Sequence, residues 1–200
     1  MAETKEKLLT LAFMEFLKRP YREVTLEQLV KELGLTKGAF YHNFESKQDL
    51  FVKVVDMYLD SFDDMYERSY NATLPLVENI MEVVQISIER MTQLKEAVPE
   101  DVDELNFFGF IMDAMKYYPG FKRKMAGIHK NKEMALYVRF INEAKCNKDI
   151  RVSVDSLLLA ATFMHLFDGI AMGEYLKGKN GDVLSSIRNS LEFICDLAAK

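Results

Sequence analysis

The amino-acid sequence predicts an all-α fold of about nine helices. Only four prolines and nine glycines interrupt the 200 residues, and nearly every interval between them carries apolar residues at a three- and four-residue spacing. That spacing is the period of a helix that buries one face. Apolar residues make up 49% of the chain and charged residues 28%, which is the ordinary composition of a globular protein with its own hydrophobic core.

Three helices come first. Apolar residues form one stripe between residues 4 and 18, and Pro20 ends that helix because proline bars the residue before it from helical geometry. A second helix begins at Thr25, whose hydroxyl can cap it, and ends at Gly34. A third begins at Thr36 and is barely two turns long. Isolated helices need roughly a dozen residues to be even marginally stable in water, so this one must rest on its neighbours.

The remaining helices are longer. Ser46 can cap a fourth helix that we expect to extend toward Tyr70 and to connect the first three helices with the rest of the chain. Further helices are predicted over about 75–95, 101–117, 119–145, 153–177 and 182–199. The segments AVPED, YYPG, CNKDIR and KGKNGD separate them, and the sequence contains no internal repeat or low-complexity tract.

Residues 24–51, VTLEQLVKELGLTKGAFYHNFESKQDLF, follow the order helix, tight turn, short helix. This is the order of a helix-turn-helix, in which neighbouring helices support a short helix whose outer side enters the DNA major groove. Phe40 and Phe44 lie four residues apart and are expected to anchor the short helix on its inner side. The residues left to face outward or sideways are Lys37, Gly38, Ala39, Tyr41, His42 and Asn43.

The outward residues suit base edges. Gly38 and Ala39 keep that side low, so that the backbone can approach the bases and Ala39 can touch a thymine methyl group. Lys37 can donate to guanine acceptors or to a phosphate. His42 and Asn43 carry donors and acceptors that fit base edges or phosphate oxygens.

Four flanking residues suit the phosphate backbone. Thr25 and Thr36 stand at helix starts and offer hydroxyls beside unpaired backbone N–H groups, while Tyr41 and Lys47 add a phenol and an ammonium. The net charge of −5 argues against indiscriminate coating of nucleic acid, because non-specific affinity comes from many Lys and Arg residues. Residues 1–50 are neutral, with eight Lys or Arg against eight Asp or Glu, so the acidic excess lies in the rest of the chain.

The segment GLTKGAFYHNFESKQDLF closely resembles the signature of the TetR family of bacterial transcriptional regulators. That signature is glycine, an apolar residue, Ser or Thr, Lys, Gly, a small residue, an aromatic residue or Leu, Tyr, a polar or aromatic pair, Phe, a short polar stretch and Lys. The resemblance runs over about 45 residues, from Leu8 to Leu50. It departs at Ala39, where relatives often carry Ser or Thr, and at Asn43, where His or Tyr is common, so the operator sequence is not predictable.

The resemblance implies a three-helix DNA-binding domain over residues 1–48 and a larger helical domain over residues 49–200 for ligand binding and dimerisation. It implies a homodimeric transcriptional regulator, a repressor that leaves a two-fold symmetric double-stranded DNA operator when a small-molecule effector binds. By position, the phosphate contacts would be Thr25, Thr36, Tyr41 and Lys47, and the contacts to base edges would be Lys37, Gly38, Ala39 and His42. It implies no catalytic residue, metal or cofactor.

Residues 105–125, LNFFGFIMDAMKYYPGFKRKM, are unusually rich in Phe, Tyr and Met. Such residues line many small-molecule pockets but also fill hydrophobic cores, and their density here favours a nearby pocket for an apolar or aromatic molecule. His165 and Asp168, at i and i+3 in an apolar helix, suit a ligand's polar group, an interior or interface pair, or at most half of a metal site. The predicted ligand-binding residues are Phe107, Phe108, Ile111, Met112, Met115, Phe121, Met164, His165 and Asp168.

The last two predicted helices mix small and large apolar residues and so permit close helix approach. Two such helices meeting their copies would form a four-helix interface with two-fold symmetry, which predicts a homodimer. The alternative is that they only close the core of a monomer.

Other classes fit the sequence less well. No apolar run is expected to reach the roughly 18 residues of a membrane span, because Thr162, His165 and Asp168 interrupt the longest one. The charged N-terminus carries no secretory signal, so a cytoplasmic protein is expected. Cys146 and Cys195 lack metal-ligand spacing and are expected to be small buried thiols, with a disulfide as the minor alternative. A helical enzyme and a protein-binding scaffold remain as rivals, although no nucleophile or acid–base pair stands out.

Overall fold

The computed structural model describes the backbone of residues 2–96, 104–177 and 182–199. All regular secondary structure in these ranges is helical, which confirms the predicted fold class. In chain order the α-helices are α1 (Ala2–Lys18), α2 (Leu26–Glu32), α3 (Lys37–Tyr41), α4 (Lys47–Asp60), α5 (Leu76–Glu96), α6 (Glu104–Tyr117), α7 (Phe121–Gly127), α8 (Met134–Cys146), α9 (Ser156–Leu176) and α10 (Val183–Ala199). The described ranges hold ten α-helices rather than about nine, because the helix predicted over 119–145 is two, α7 and α8, joined by a π-helical segment over Ile128–Glu133.

Helix α4 is shorter than the sequence predicted. Ser46 caps it as expected, since its hydroxyl accepts a hydrogen bond from the Asp49 N–H at 3.0 Å. The helix ends at Asp60 instead of extending toward Tyr70, and a short 3-10 helix over Asp63–Glu67 follows. Acidic residues accumulate at this end, and negative charge at a helix C-terminus opposes the helix dipole.

The chain divides into two compact units. One is drawn from residues 1–62 and 92–123, and the other from residues 63–91 and 124–200. The first unit therefore joins α1 to α4 with α6. The boundary predicted between residues 48 and 49, which separates two functions, stays a prediction.

An aromatic core holds the first unit together. The ring of Phe110, on α6, meets Phe13 of α1 and Phe51 of α4 edge-on, with ring centroids 5.6 and 5.7 Å apart. All three side chains are at most 5% exposed. Aromatic pairs of this geometry add roughly 0.5–1.5 kcal/mol beyond the burial of their surface. Part of the Phe- and Met-rich segment is therefore core, and this core braces the N-terminal helices.

In the second unit, α8, α9 and α10 pack around buried apolar residues such as Phe140, Phe163 and Leu191. The Arg188 guanidinium donates to both carboxylate oxygens of Glu78, which ties α10 to α5. The apolar residues of α9 and α10 that face away from this core remain on the surface of the unit.

Helix α9 is apolar on nearly every side. Its segment Ser156–Glu174 is long and apolar enough to cross a membrane, judged by length and composition, since Asp168 and Glu174 are its only charged residues. The expectation that polar residues keep this run too short is therefore wrong. Leu158 and Leu176 are 69% and 76% exposed, so α9 presents an apolar side to its surroundings.

Both cysteines are free thiols. Cys195 is half-buried on α10, whereas Cys146 is exposed. The expectation of two buried thiols is wrong for Cys146, because this residue ends α8 and leads into an exposed polar turn.

Candidate nucleic-acid interface

A capping box fixes the start of α2. The Thr25 hydroxyl accepts a hydrogen bond from the Gln28 N–H at 3.3 Å, and the Gln28 side-chain oxygen accepts one from the Thr25 N–H at 3.0 Å. This reciprocal pair satisfies two backbone donors that the helix start would leave unpaired. The predicted cap at Thr25 is confirmed, and its hydroxyl lies on the exposed side of the first unit.

The turn between α2 and α3 depends on a glycine. Gly34 has a φ of +64°, in the left-handed region that side chains with a Cβ rarely adopt. Its N–H donates to the Lys31 carbonyl at 3.1 Å, and the Leu35 N–H donates to the Val30 carbonyl at 2.7 Å. These two bonds form a Schellman motif, which ends α2 and redirects the chain within two residues.

Helix α3 has a locked inner side and an open outer side. Thr36 caps it, since its hydroxyl accepts a hydrogen bond from the Ala39 N–H at 3.2 Å. Phe40 and Phe44 are each 1% exposed, which confirms their predicted inward orientation, whereas Tyr41 is 58% exposed. The other outward residues divide by exposure, with Lys37, Gly38 and His42 exposed and Ala39 half-buried.

Asn43 has a structural task at the end of α3. Its side-chain amide N–H donates to the Ala39 carbonyl at 2.8 Å, and the residue is half-buried. The bond satisfies one of the carbonyls that a helix end leaves without a partner. Contact between Asn43 and a base edge stays a prediction.

Lys47 is engaged inside the unit. Its ammonium donates to the carbonyls of Tyr21 and Val24, both at 2.8 Å, and lies 4.2 Å from the centroid of the Tyr21 ring. Burial lowers the pKa of the Lys47 ammonium. These contacts hold the turn before α2, so Lys47 positions Thr25 in this conformation. The phosphate contact implied for Lys47 stays a prediction.

Lys37 pairs with an acidic residue that the sequence analysis did not select. Its ammonium donates to Glu27 of α2, with 2.6 Å between Nζ and Oε1, and the two side chains are 62% and 65% exposed. The hydrogen bond from Lys37 lowers the pKa of the Glu27 carboxyl and raises the pKa of Lys37. The sequence contains one local indication of this ion pair, which is the acidic residue in the first turn of α2.

Helix α6 reaches the turn between α1 and α2 at Tyr21. The Tyr21 N–H donates to a carboxylate oxygen of Asp113 at 2.7 Å, and its ring stacks on Tyr117 with centroids 4.4 Å apart. The Gln48 side chain, at the start of α4, donates to the Tyr117 carbonyl at 2.8 Å. No local pattern could have predicted these contacts, because Tyr21 and Asp113 are 92 residues apart in the chain.

The structure places the predicted ligand-binding residues in different environments. Phe121 and Met164 are buried, Phe108 and Ile111 are half-buried, Met112, Met115, His165 and Asp168 are exposed, and Phe107 lies outside the described side chains. In the first unit, Met112 lines a surface groove of about 340 Å³ together with Phe16 and Asp113. In the second unit, Met164 faces the core while His165 is exposed. The ligand-binding assignments stay predictions.

A family model matches the N-terminal helices of the chain. Residues 8–54 match the model of the tetR family of bacterial regulatory proteins. The uncharacterized HTH-type transcriptional regulator YerO of Bacillus subtilis is 32% identical over 59 residues, which are 30% of this chain and 20% of that protein. The HTH-type transcriptional repressor BepR of Brucella suis is 39% identical over 54 residues, which are 27% of this chain and 26% of that protein. The chain thus matches about a quarter or less of the length of these two relatives.

Solved structures show the same fold along the whole chain. A TetR-family transcriptional regulator from Cytophaga hutchinsonii superposes with a TM-score of 0.69 at 18% identity, covering 98% of this chain and 94% of that one. NemR of E. coli in its reduced form gives a TM-score of 0.61 at 18% identity, with 96% and 97% covered. A protein from Saccharomonospora viridis solved with choline gives 0.68 at 17% identity, with 98% and 97% covered. At these identities the similarity shows the fold alone.

Proposed function

We propose that the chain, whose residues 8–54 match the model of the tetR family of bacterial regulatory proteins, is a sequence-specific transcriptional regulator. In this proposal it is a cytoplasmic homodimer that represses transcription and leaves its operator when a small effector binds. The observation that carries the proposal is α3, whose inner side is locked by Phe40 and Phe44 while its outer side is open. This helix has five residues, and its exposed Lys, Gly and Tyr pack against no core. These side chains therefore contribute little to the stability of the fold and are available for contact with another molecule.

The caps of α2 and α3 suit phosphate contacts. Thr25 and Thr36 are both exposed and both stand at helix starts, where backbone N–H groups point outward and favour an anion. Phosphate contacts fix the orientation of a protein on DNA, and base contacts supply the sequence preference. Tyr41, which is 58% exposed, adds a phenol at the flank of the base-reading residues.

Dimerisation would set the spacing of two copies of α3. Exposed apolar residues lie on both of the last helices, with Leu158 and Leu176 on α9 and Phe193 and Leu197 on α10. A soluble monomer rarely exposes a large contiguous apolar surface, and a second copy related by a two-fold axis would cover it. Two recognition helices must lie about 34 Å apart, one helical turn of DNA, to read a symmetric operator.

Effector response would pass through α6. Asp113 and Tyr117 hold the turn that precedes α2, and Phe110 packs in the core that α1 and α4 share. A ligand that prefers a different position of α6 would lower operator affinity by its differential affinity for the two conformations. The effector we propose is a small apolar or aromatic molecule bound in the larger domain.

Titration of labelled duplexes by fluorescence anisotropy tests the proposal. A duplex from the DNA upstream of the chain's own gene should bind about a thousandfold more tightly than a scrambled duplex, with affinity falling steeply between 50 and 200 mM salt. Lys37→Ala should weaken that binding, and Lys122→Ala, which removes an exposed lysine of α7, serves as its control. Equal affinity for both duplexes would contradict the proposal. Turnover of a substrate that is lost in His165→Ala would support the rival enzyme instead.

A further inference from the structure

The lysine best placed to read a base is paired with a carboxylate in the DNA-free protein. Lys37 begins α3, and its ammonium lies 2.6 Å from an oxygen of Glu27, which comes from the first turn of α2. Both side chains are more than half exposed. The pair therefore lies on the open side of the helix-turn-helix and not in its core.

Glu27 is stably ionised at this position. The backbone N–H groups of a helix start favour negative charge, and Glu27 sits in that first turn. The hydrogen bond from Lys37 further lowers the pKa of the Glu27 carboxyl. The carboxylate thus lies close to both helix starts, because Glu27 is two residues from Thr25 and is bonded to Lys37, the neighbour of Thr36. The proposed function assigns the hydroxyls of both threonines to phosphates.

Resting on that proposed function, we propose that Glu27 is a specificity-determining residue that keeps Lys37 from binding phosphates indiscriminately. On non-specific DNA, Lys37 would have to leave Glu27 to neutralise a phosphate, and the freed carboxylate would stand close to the phosphate backbone and repel it. On the correct base pair, Lys37 donates to guanine O6 or N7 while Glu27 accepts from a cytosine amino group, so both charges keep partners. The pair therefore penalises phosphate contact more than base contact.

The salt dependence of binding measures how many phosphates the lysines neutralise in each complex. Each phosphate that a lysine neutralises adds about 0.9 to the slope of log affinity against log salt. If Glu27 withholds Lys37 from phosphates, Glu27→Gln should steepen this slope on scrambled DNA by about 0.9 for each protomer, or about 1.8 for the proposed dimer. Between 50 and 200 mM salt, that change corresponds to an additional loss of affinity of about twelvefold for the dimer.

Three variants test the proposal against the upstream and the scrambled duplex. Glu27→Gln should tighten binding to scrambled DNA at 50 mM salt by about threefold or more and lower the specificity ratio. Glu32→Gln removes the same charge from an exposed residue at the other end of α2 and should leave that ratio within about twofold. In a Lys37→Ala background, Glu27→Gln should change the ratio less than it does in the wild-type chain, because only the direct contact of the carboxylate with DNA is then left to lose.

The outcomes separate this inference from the proposed function. The inference is overturned if the wild-type chain prefers its operator but Glu27→Gln behaves like Glu32→Gln, or if the full effect persists without Lys37. A wild-type chain with no preference for either duplex would overturn the proposed function itself. Circular dichroism of each variant verifies that its helix content is unchanged, as expected for substitutions of exposed residues.

Discussion

At the scale of single residues, adjacent side chains of α3 differ sharply in their exposure to solvent. Phe40 is 1% exposed and Tyr41 is 58% exposed, although they are adjacent. The first anchors a helix that could not stand alone, and the second is free for contact with another molecule. Stability and DNA binding can therefore be changed separately within one turn of helix.

Phe40→Ala should lower the free energy of unfolding by about 3–5 kcal/mol, because it opens a cavity in a packed core. Tyr41→Ala should change it by less than about 0.5 kcal/mol, since it removes an exposed ring. Urea denaturation followed by circular dichroism measures both values. Similar losses for the two variants would contradict the assigned orientation of α3.

The two cysteines should differ in reactivity. Burial raises the pKa of the Cys195 thiol to about 12, so almost none of it is thiolate at pH 8, whereas Cys146 is exposed. Ellman's reagent at pH 8 should titrate one thiol rapidly in the native protein and two after denaturation. Cys146→Ser should abolish the rapid phase, and its persistence in that variant would show that Cys195 is accessible.

At the scale of helices, local sequence patterns predict where the helices begin, whereas contacts between distant residues determine which side chains hold the helices together. Thr25, Thr36 and Ser46 were predictable as caps because a hydroxyl at a helix start acts on residues only three positions away. The contact between Tyr21 and Asp113 was not predictable, since its partners are 92 residues apart. For the same reason the bonds of the Lys47 ammonium to two carbonyls of the turn before α2 could not be predicted from the sequence.

Asp113→Ala should loosen the turn between α1 and α2, because it removes the acceptor of the Tyr21 N–H. Hydrogen exchange should accelerate in residues 20–25 while α10 keeps its protection. Lys122→Ala, which removes an exposed lysine of α7, is the control. If exchange in the turn is equally fast in both variants, Asp113 does not hold it.

At the scale of the whole molecule, α9 and α10 expose several large apolar side chains, and soluble monomers rarely expose large contiguous apolar surfaces. The mixture of small and large residues in the sequence predicts an interface there, and that interface stays a proposal. Which residues face outward was not predictable, because α9 is apolar on nearly all sides and gives no helical period to read. The structure identifies the exposed side through Leu158, Leu176 and Phe193.

Phe193→Glu should convert the proposed dimer to a monomer, because it places a charge on the exposed apolar surface that the dimer would bury. Val152→Glu changes an even more exposed apolar residue, 81% against 65%, in the turn before α9, and should leave the dimer intact. Light scattering after size-exclusion chromatography measures both masses. The dimer assignment fails if the two variants have the same mass.

In the proposed complex, the outer side of α3 lies in the major groove of DNA. Protection of guanine N7 from dimethyl sulfate tests it most directly, because this atom lines the major groove and is an acceptor for Lys37. Two protected patches about 10 base pairs apart should appear on the bound operator, and Lys37→Ala should expose a guanine in each patch. A bound operator whose guanines all react as in free DNA would contradict the claim.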